Sequence, residues 1–246
     1  MKYLIVGASS GLGRELAYTF AKEKNNLVLA ARDDRDLQAI KSDLNLKFGV
    51  EIKTISIDFS DIEEIKKKIL SDKEVLNNLN GVLFPIGFMF EKDNLQLDII
   101  KINKIIFANF MSINYLTTRF FEAFKDQEFS IVSFGSVSGL LGRNLNINYA
   151  ASKRALESFF ESLAFENKHK NFYIQFYILG YLDTNLSFGK KLNLPRGNVK
   201  KISELVYKNK NKRFIKSYYP YYWNIIAILL KLLPIKLILF FQNLLK

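Results

Sequence analysis

Short apolar runs alternate along the chain with longer stretches in which apolar residues recur every three or four positions. Continuous apolar runs are typical of buried strands, and the longer period is typical of helices packed on one face. The runs predict strands over residues 3–6, 27–31, 52–57, 81–84, 130–134 and 173–178. The segments between them predict helices over residues 12–24, 36–47, 62–70, 104–124 and 149–167. This alternation predicts an α/β fold, a doubly wound Rossmann-type parallel sheet with helices on both faces.

The distribution of charge sets the C-terminal segment apart. The 246-residue chain has a formal net charge of +12. Residues 190–246 hold 13 of its 36 Lys and Arg residues but only one of its 24 acidic residues, Glu204. Residues 1–189 are therefore neutral, and the segment that follows carries the whole net charge. We expect one Rossmann-type domain over residues 1–189, followed by a cap and a basic, amphipathic helical tail over residues 190–246.

The tail combines clustered cations with a long apolar segment. Its longest charge-free run, residues 217–230, has 14 residues, too short to cross a bilayer comfortably. Lys231, Pro234 and Lys236 then interrupt the apolar pattern. We expect residues 218–246 to lie on an anionic membrane surface, where lysines can reach the headgroups. Packing on the protein itself or across a dimer is the alternative; nucleic acid is not expected as a partner, because the segment is strongly apolar.

Rare residue types exclude several kinds of site. The chain has no cysteine, and its one histidine, His169, lies in a polar run. Disulfides, thiolate sites and the usual zinc and nucleophile–histidine sites are therefore excluded, and no metal is expected. The apolar run at residues 1–6 is too short for a signal peptide. We expect a cytoplasmic protein, with its membrane contact on the inner face.

A glycine-rich loop follows the first predicted strand and opens the first predicted helix. Gly7 would allow a tight turn, Gly11 the close approach of the backbone to a pyrophosphate, and Gly13 the packing of helix on strand. The free N–H groups at the helix start would face the phosphates. A glycine-rich turn without function is the alternative. The loop predicts a dinucleotide site formed by Gly7, Ser9, Ser10, Gly11, Leu12 and Gly13.

The end of the second predicted strand indicates which dinucleotide binds. An NAD site places an acidic residue there for the ribose 2′-hydroxyl, whereas an arginine nearby suits the 2′-phosphate of NADP. Here Ala31 is followed by Arg32, whose guanidinium can pair with a phosphate through two parallel hydrogen bonds. NADP is therefore the expected cofactor. The alternative is a surface arginine at a strand end.

Three hydroxyl and amine side chains form the candidate reaction centre. Tyr149 and Lys153 are four residues apart near the start of a predicted helix, so both lie on one face. A nearby ammonium would lower the pKa of the phenol. Ser136 lies thirteen residues before Tyr149 at a predicted strand end, where α/β sheets bind ligands. Ser136 would orient a substrate oxygen while Tyr149 transfers the proton.

These motifs resemble the short-chain dehydrogenase/reductase family over about residues 1–187. The wide glycine spacing and the Tyr-x-x-x-Lys pair with its upstream serine carry the resemblance. It implies that Ser136, Tyr149 and Lys153 are catalytic and that Asn109 supports a proton-relay water. The helices over 104–124 and 149–167 are expected to form a homodimer interface, and the resemblance points to the same two helices. Their residues Phe120, Phe121, Phe159 and Phe160 offer more apolar surface than one helix layer on a sheet usually needs.

Further cofactor contacts follow from the same resemblance. Asp58 falls on the position that contacts adenine, and Thr184 on the one that holds the nicotinamide carboxamide. The family's Asn-Asn-Ala-Gly segment after the fourth strand is Phe84-Pro85-Ile86-Gly87 here, so only Gly87 is kept. The asparagine that braces the central strands is missing. The Pro-Gly pair after the sixth strand is Leu179-Gly180.

The expected activity is NADPH-dependent reduction of a ketone to a secondary alcohol, or the reverse. The tail also resembles that of bacterial reductases of polyprenyl-linked keto-sugars, so the substrate is expected to be a small molecule or a lipid-linked one. One alternative is a reductase of 3-oxoacyl or other lipid ketones. The other is a non-catalytic NADP-binding scaffold or sensor at a membrane.

Overall fold

A parallel sheet forms the centre of the computed structural model, which describes residues 1–142, 144–167, 171–183, 195–234 and 236–237. Within these residues seven strands pair in the order β3-β2-β1-β4-β5-β6-β7. They are β1 Lys2–Val6, β2 Asn26–Ala31, β3 Ile52–Ser56, β4 Gly81–Phe84, β5 Phe129–Ser136, β6 Phe172–Leu179 and β7 Phe214–Tyr219. The order reverses between β1 and β4, which opens a ligand crevice at the carboxyl ends of the strands.

Helices cover both faces of this sheet, which confirms the predicted fold class. They are α1 Gly11–Lys22, α2 Asp34–Phe48, α3 Ile62–Ile65, α4 Lys73–Leu76, α5 Ile99–Ile106, α6 Ser112–Ala123, α7 Ile147–Glu166, α8 Val199–Lys208 and α9 Tyr222–Leu232. A wide π-helical turn, Phe107–Met111, joins α5 to α6, and a 3₁₀ turn, Val137–Leu140, follows β5. The helix predicted over 104–124 starts earlier, because Asp98 accepts a hydrogen bond from the Lys101 amide and caps α5.

Two apolar clusters hold the layers together. On one face, α1, α2 and α8 bury side chains such as Phe20, Leu37 and Ile202 against the sheet. On the other, α6, α7 and α9 contribute to a cluster that includes Phe120 and Phe160. Both phenylalanines are fully buried within the chain. They therefore cannot supply the dimer surface predicted from the sequence.

The sheet extends beyond the predicted boundary at residue 189. β7 pairs in parallel with β6, from Ile174 beside Phe214 to Leu179 beside Tyr219. α8 packs on α1, where the Ser203 hydroxyl donates to Thr19 Oγ1 at 2.6 Å. The sheet therefore continues through part of the segment assigned to a separate cap and tail.

Lys216 within β7 and the cations that precede it concealed this strand in the sequence. β7 lies at the sheet edge, where charged side chains are tolerated. Lys216 forms an ion pair with Glu157 of α7 at 2.6 Å, so a residue that reads as part of a solvated basic run is held against the domain.

Helix α9 is attached to the domain by one face only. Trp223 and Ala227 are buried in the cluster beneath it. The opposite side exposes Ile225, Ile228, Leu229 and Leu232 at 57 to 76% of their surface. None of the described helices is both long and apolar enough to cross a membrane.

Candidate active site

The glycine loop has the geometry of a phosphate-binding turn. Gly7 and Gly11 have positive φ angles, 93° and 51°, which other residues adopt only with strain. A Cβ atom on Gly13 would lie 1.9 Å from the carbonyl oxygen of Gly7, so only glycine lets α1 pack on the loop. Ser10 precedes α1 without a side-chain capping bond. The first N–H groups of α1 are thus available to an anion, which fits the phosphates of a dinucleotide.

An open cleft of about 1360 Å³ runs from this loop across the carboxyl ends of the strands. It brings together most of the residues predicted from the sequence. Those lining it are Gly7, Ser9, Ser10, Gly11, Leu12, Arg32, Asp58, Gly87, Ser136, Tyr149 and Lys153. Gly13 lies behind the loop, and Thr184 lies outside the described residues.

Arg32 and Asp58 mark one end of the cleft. The Arg32 guanidinium carbon lies 5.3 Å from the centroid of the Phe88 ring, and Ala31 before it is buried. Partial burial raises the pKa of Asp58, but two hydrogen bonds from Ser60 and the charge of Arg32 outweigh this effect and lower it. Asp58 is therefore a charged acceptor, and Arg32 a charged donor, on the same wall.

Helix α7 carries Tyr149 and Lys153 into the cleft. Lys153 is almost fully buried, and its Nζ donates to the carbonyl oxygens of Ile86 and Phe134, each at 3.0 Å. The same Nζ lies 6.0 Å from the centroid of the Tyr149 ring. The two side chains thus share one face, as predicted, and Lys153 ties α7 to the ends of β4 and β5.

Burial dominates the protonation of both groups. It lowers the pKa of Lys153 from 10.5 to about 7 and raises the pKa of Tyr149; a hydrogen bond with Ser136 partly opposes the rise for Tyr149. The expected lowering of the Tyr149 pKa by Lys153 is therefore not seen. Desolvation penalises both charged forms, and the ammonium is directed at two carbonyls instead of the phenol.

Ser136 ends β5 within reach of the tyrosine. Its hydroxyl donates to Ser138 Oγ at 3.1 Å and accepts from the Ser138 amide at 3.2 Å, while also contacting Tyr149. These contacts fix the serine oxygen at the cleft floor. It can therefore orient an oxygen that is bound beside the phenol.

Asn109 has a structural contact that the sequence did not reveal. It is fully buried in the π-helical turn, and its side chain accepts from the Phe88 amide and donates to the Phe88 carbonyl, both at 2.7 Å. It braces a cleft-lining residue without lining the cleft itself. Its proton-relay role stays a prediction.

The missing asparagine after β4 is replaced by apolar packing. Phe84 is fully buried in the core between β1 and β5. The loop beyond it contributes Phe88 and Phe90, whose rings meet edge to face at 5.0 Å, and both line the cleft. The apolar run directly after Gly87 was the available signal for this wall. Leu145 and Tyr181, also in the lining, had no such signal.

Comparisons with known proteins agree with this geometry. The family model for short chain dehydrogenases matches residues 2–193. The hydroxysteroid 11-beta-dehydrogenase 1-like protein A of Xenopus laevis is 30% identical over 237 residues, covering 91% of this chain and 79% of that protein. The very-long-chain 3-oxoacyl-CoA reductase of Bos taurus is 30% identical over 191 residues, covering 75% of this chain and 60% of that protein.

The fold is also shared with solved structures. A short-chain dehydrogenase from Sphingobium yanoikuyae in complex with NADPH superimposes with a TM-score of 0.78 at 22% identity, covering 92% of this chain and 91% of that one. The family match extends from β1 through β6, including the glycine loop and the Ser136, Tyr149 and Lys153 positions. The chain belongs to the short chain dehydrogenase family.

Proposed function

We propose that this protein is an NADPH-dependent reductase that converts a ketone to a secondary alcohol, or catalyses the reverse oxidation. The observation that carries the proposal is the convergence of Ser136, Tyr149 and Lys153 in the same cleft as the glycine loop. A binding scaffold would not need all three groups in one place, so the non-catalytic alternative is disfavoured.

The residues divide the chemistry between them. The bound cofactor supplies the hydride that a carbonyl carbon accepts. Tyr149, whose pKa burial keeps high, holds the proton that the carbonyl oxygen requires. Ser136 orients that oxygen, and Lys153 anchors α7 through the Ile86 and Phe134 carbonyls.

Arg32 supports NADP over NAD. It lines the cleft directly after β2, and Ala31 offers no carboxylate for a free 2′-hydroxyl. The helix start at Ser10 and the glycine loop supply the pyrophosphate contacts. The NADPH complex of the Sphingobium yanoikuyae structure supports the same choice.

The walls of the cleft favour an apolar ketone. Besides Phe88 and Phe90, which lie toward the Arg32 end, the cleft that holds Tyr149 is lined by Leu145 and Tyr181. A 3-oxoacyl or other lipid ketone therefore remains the second candidate, and the name of the Bos taurus relative supports it.

Helix α9 offers a route to such substrates. Trp223 lies against Gly180, at the rim of the cleft, where a Cβ atom would lie 2.1 Å from the indole nitrogen. The first turn of α9 therefore lies beside the cleft, and its exposed apolar face is on the side away from Trp223. With Lys231 and Lys236 exposed, this face suits contact with an anionic lipid surface.

A substrate screen tests the proposal. Purified protein with NADPH is assayed against acyl 3-ketones, steroid ketones, lipid-linked keto-sugars and small aliphatic ketones. Oxidation of NADPH that depends on at least one ketone is expected. Absence of turnover with every class, despite stoichiometric NADPH binding, would favour the scaffold.

A further inference from the structure

Helix α7 begins without a cap of its own. Asn146 precedes it in the left-handed conformation, φ 58° and ψ 41°, and makes no side-chain capping bond. The first N–H groups of a helix have no partner within the helix and lie at the positive end of its dipole. Tyr149 is the third residue of α7, so its own amide is one of these groups.

One residue from a distant part of the chain supplies the acceptors. Asp93 is fully buried in the segment between β4 and α5. Its backbone oxygen accepts from the Ile147 amide at 3.2 Å. Its Oδ1 accepts from the Asn148 amide at 3.2 Å and from Asn148 Nδ2 at 2.7 Å. Its Oδ2 accepts from the Tyr149 amide at 2.8 Å.

The burial of this carboxylate needs an explanation, because an unpaired buried charge is costly. Among the described residues, hydrogen bonds to the start of α7 are the contacts that balance it. The positive end of the helix dipole adds to them. The carboxylate and the helix start therefore stabilise each other.

The contact joins the reaction centre to one wall of the cleft. The segment that carries Asp93 also contains Phe88 and Phe90, which line the cleft. It meets α7 a second time where Lys153 donates to the Ile86 carbonyl. Tyr149 and Lys153 are thus both fixed relative to residues 86–93, Tyr149 by Asp93 and Lys153 by Ile86.

We propose that Asp93 is a positioning residue, which holds the first turn of α7 so that the Tyr149 hydroxyl meets Ser136 and the substrate oxygen. The catalytic part of this proposal rests on the proposed reductase function; the structural part does not. Misplacement of a reacting group by about 1 Å can lower a rate by on the order of a hundredfold.

Asp93→Asn is the informative substitution. It keeps the shape of the side chain but replaces one acceptor oxygen by an NH₂ group, so either the Asn148 or the Tyr149 amide faces a donor. In the cofactor-free protein, amide hydrogen exchange over residues 147–149 is expected to accelerate on the order of ten- to a hundredfold. Asp93→Glu, which keeps the carboxylate, should restore part of the protection.

The kinetic expectation separates positioning from loss of folded protein. With concentrations normalised to bound NADPH, kcat of Asp93→Asn is expected to fall by about tenfold or more, with a smaller change in KM for NADPH. Hydride transfer should become rate-limiting, so the isotope effect on kcat with deuterated NADPH should rise. A variant that only loses folded molecules keeps the wild-type kcat and isotope effect after normalisation.

Asp72→Ala is the matched control. Asp72 likewise accepts from two helix amides, those of Glu74 and Val75 at the start of α4. It lies beside Lys53, near the amino end of β3 and away from the cleft. Its loss should lower stability but leave normalised kcat and the exchange of residues 147–149 unchanged.

The exchange and kinetic measurements test different parts of the proposal. Wild-type exchange rates over residues 147–149 in Asp93→Asn would overturn the proposal. A lower kcat that returns to the wild-type value after normalisation to bound NADPH would overturn it as well. If the wild-type protein reduces no ketone, the proposed function fails, and the exchange measurement alone still decides whether Asp93 holds α7.

Discussion

At the scale of single residues, the spacing along the sequence predicted where side chains lie, but it did not predict their protonation. Tyr149 and Lys153 had to share a helix face because they are four residues apart, and the structure confirms it. Their pKa values depend chiefly on burial, and the carbonyls that accept from Lys153, those of Ile86 and Phe134, come from other elements. No local pattern carries that information, and the same holds for Asp93, whose partners lie 55 and 56 residues away.

The buried ammonium of Lys153 predicts a specific dependence of stability on pH. Its pKa is about 7 in the folded protein and near 10.5 when exposed, so between these values the unfolded chain holds a proton that the folded protein lacks. Lys153 therefore costs stability below pH 7, and the cost falls as pH rises toward 10.5. Within this window, the unfolding free energy of the wild type relative to Lys153→Met should rise by about 1.4 kcal/mol per pH unit. Denaturant titrations of both cofactor-free proteins measure it, and a constant difference would show that Lys153 titrates normally.

Arg32 is expected to set the cofactor preference. Arg32→Ala removes a charged partner of the 2′-phosphate, so kcat/KM for NADPH should fall by roughly ten- to a hundredfold, with little change for NADH. Arg14→Ala serves as the control, since Arg14 is an exposed arginine of α1 that does not line the cleft. Equal preference for the two cofactors in the wild type would refute the assignment.

At the scale of elements, the apolar pattern predicted six strands of the sheet and missed β7. The six form the interior and one edge, and each shows an apolar run or an alternating apolar pattern in the sequence. β7 is an edge strand in which only the last two residues are buried, and its lysine is paired with Glu157 of α7. Such a strand resembles a basic surface segment until its partner is known.

Helix α9 is expected to bind anionic vesicles through its exposed face. Ile225→Ser with Leu229→Ser removes apolar contact without disturbing Trp223 and Ala227, so vesicle partitioning should fall by about tenfold or more. Co-sedimentation with neutral and anionic lipid, at low and high salt, measures both contributions.

The control for this helix uses leucines elsewhere that are even more exposed. Leu46→Ser with Leu95→Ser changes residues that are 88% and 90% exposed on other parts of the surface, and should leave partitioning unchanged. Equal binding by the α9 variant and the wild type would show that another surface, or a second copy of the chain, covers the helix.

At the scale of the whole molecule, the homodimer through α5, α6 and α7 stays a prediction. The residues that could form its interface differ from the phenylalanines named from the sequence. Phe120 and Phe160 are internal, and Phe121 stacks on Phe172 at 4.1 Å. The exposed large apolar residues on these helices, and on the π-helical turn between α5 and α6, are Ile99, Ile100, Met111 and Phe165. Light scattering of the full chain should give a dimer that Met111→Lys with Phe165→Lys weakens. A wild-type monomer at micromolar concentration would refute it.

The central claim is that Tyr149 supplies the proton in an NADPH-dependent ketone reduction. The most direct measurement compares the wild type and Tyr149→Phe with one reducible ketone, recording kcat and NADPH affinity on the same preparations. Loss of the phenol hydroxyl should lower kcat by on the order of 10² to 10⁴ while NADPH still binds with nearly wild-type affinity. Wild-type turnover by Tyr149→Phe would contradict the account.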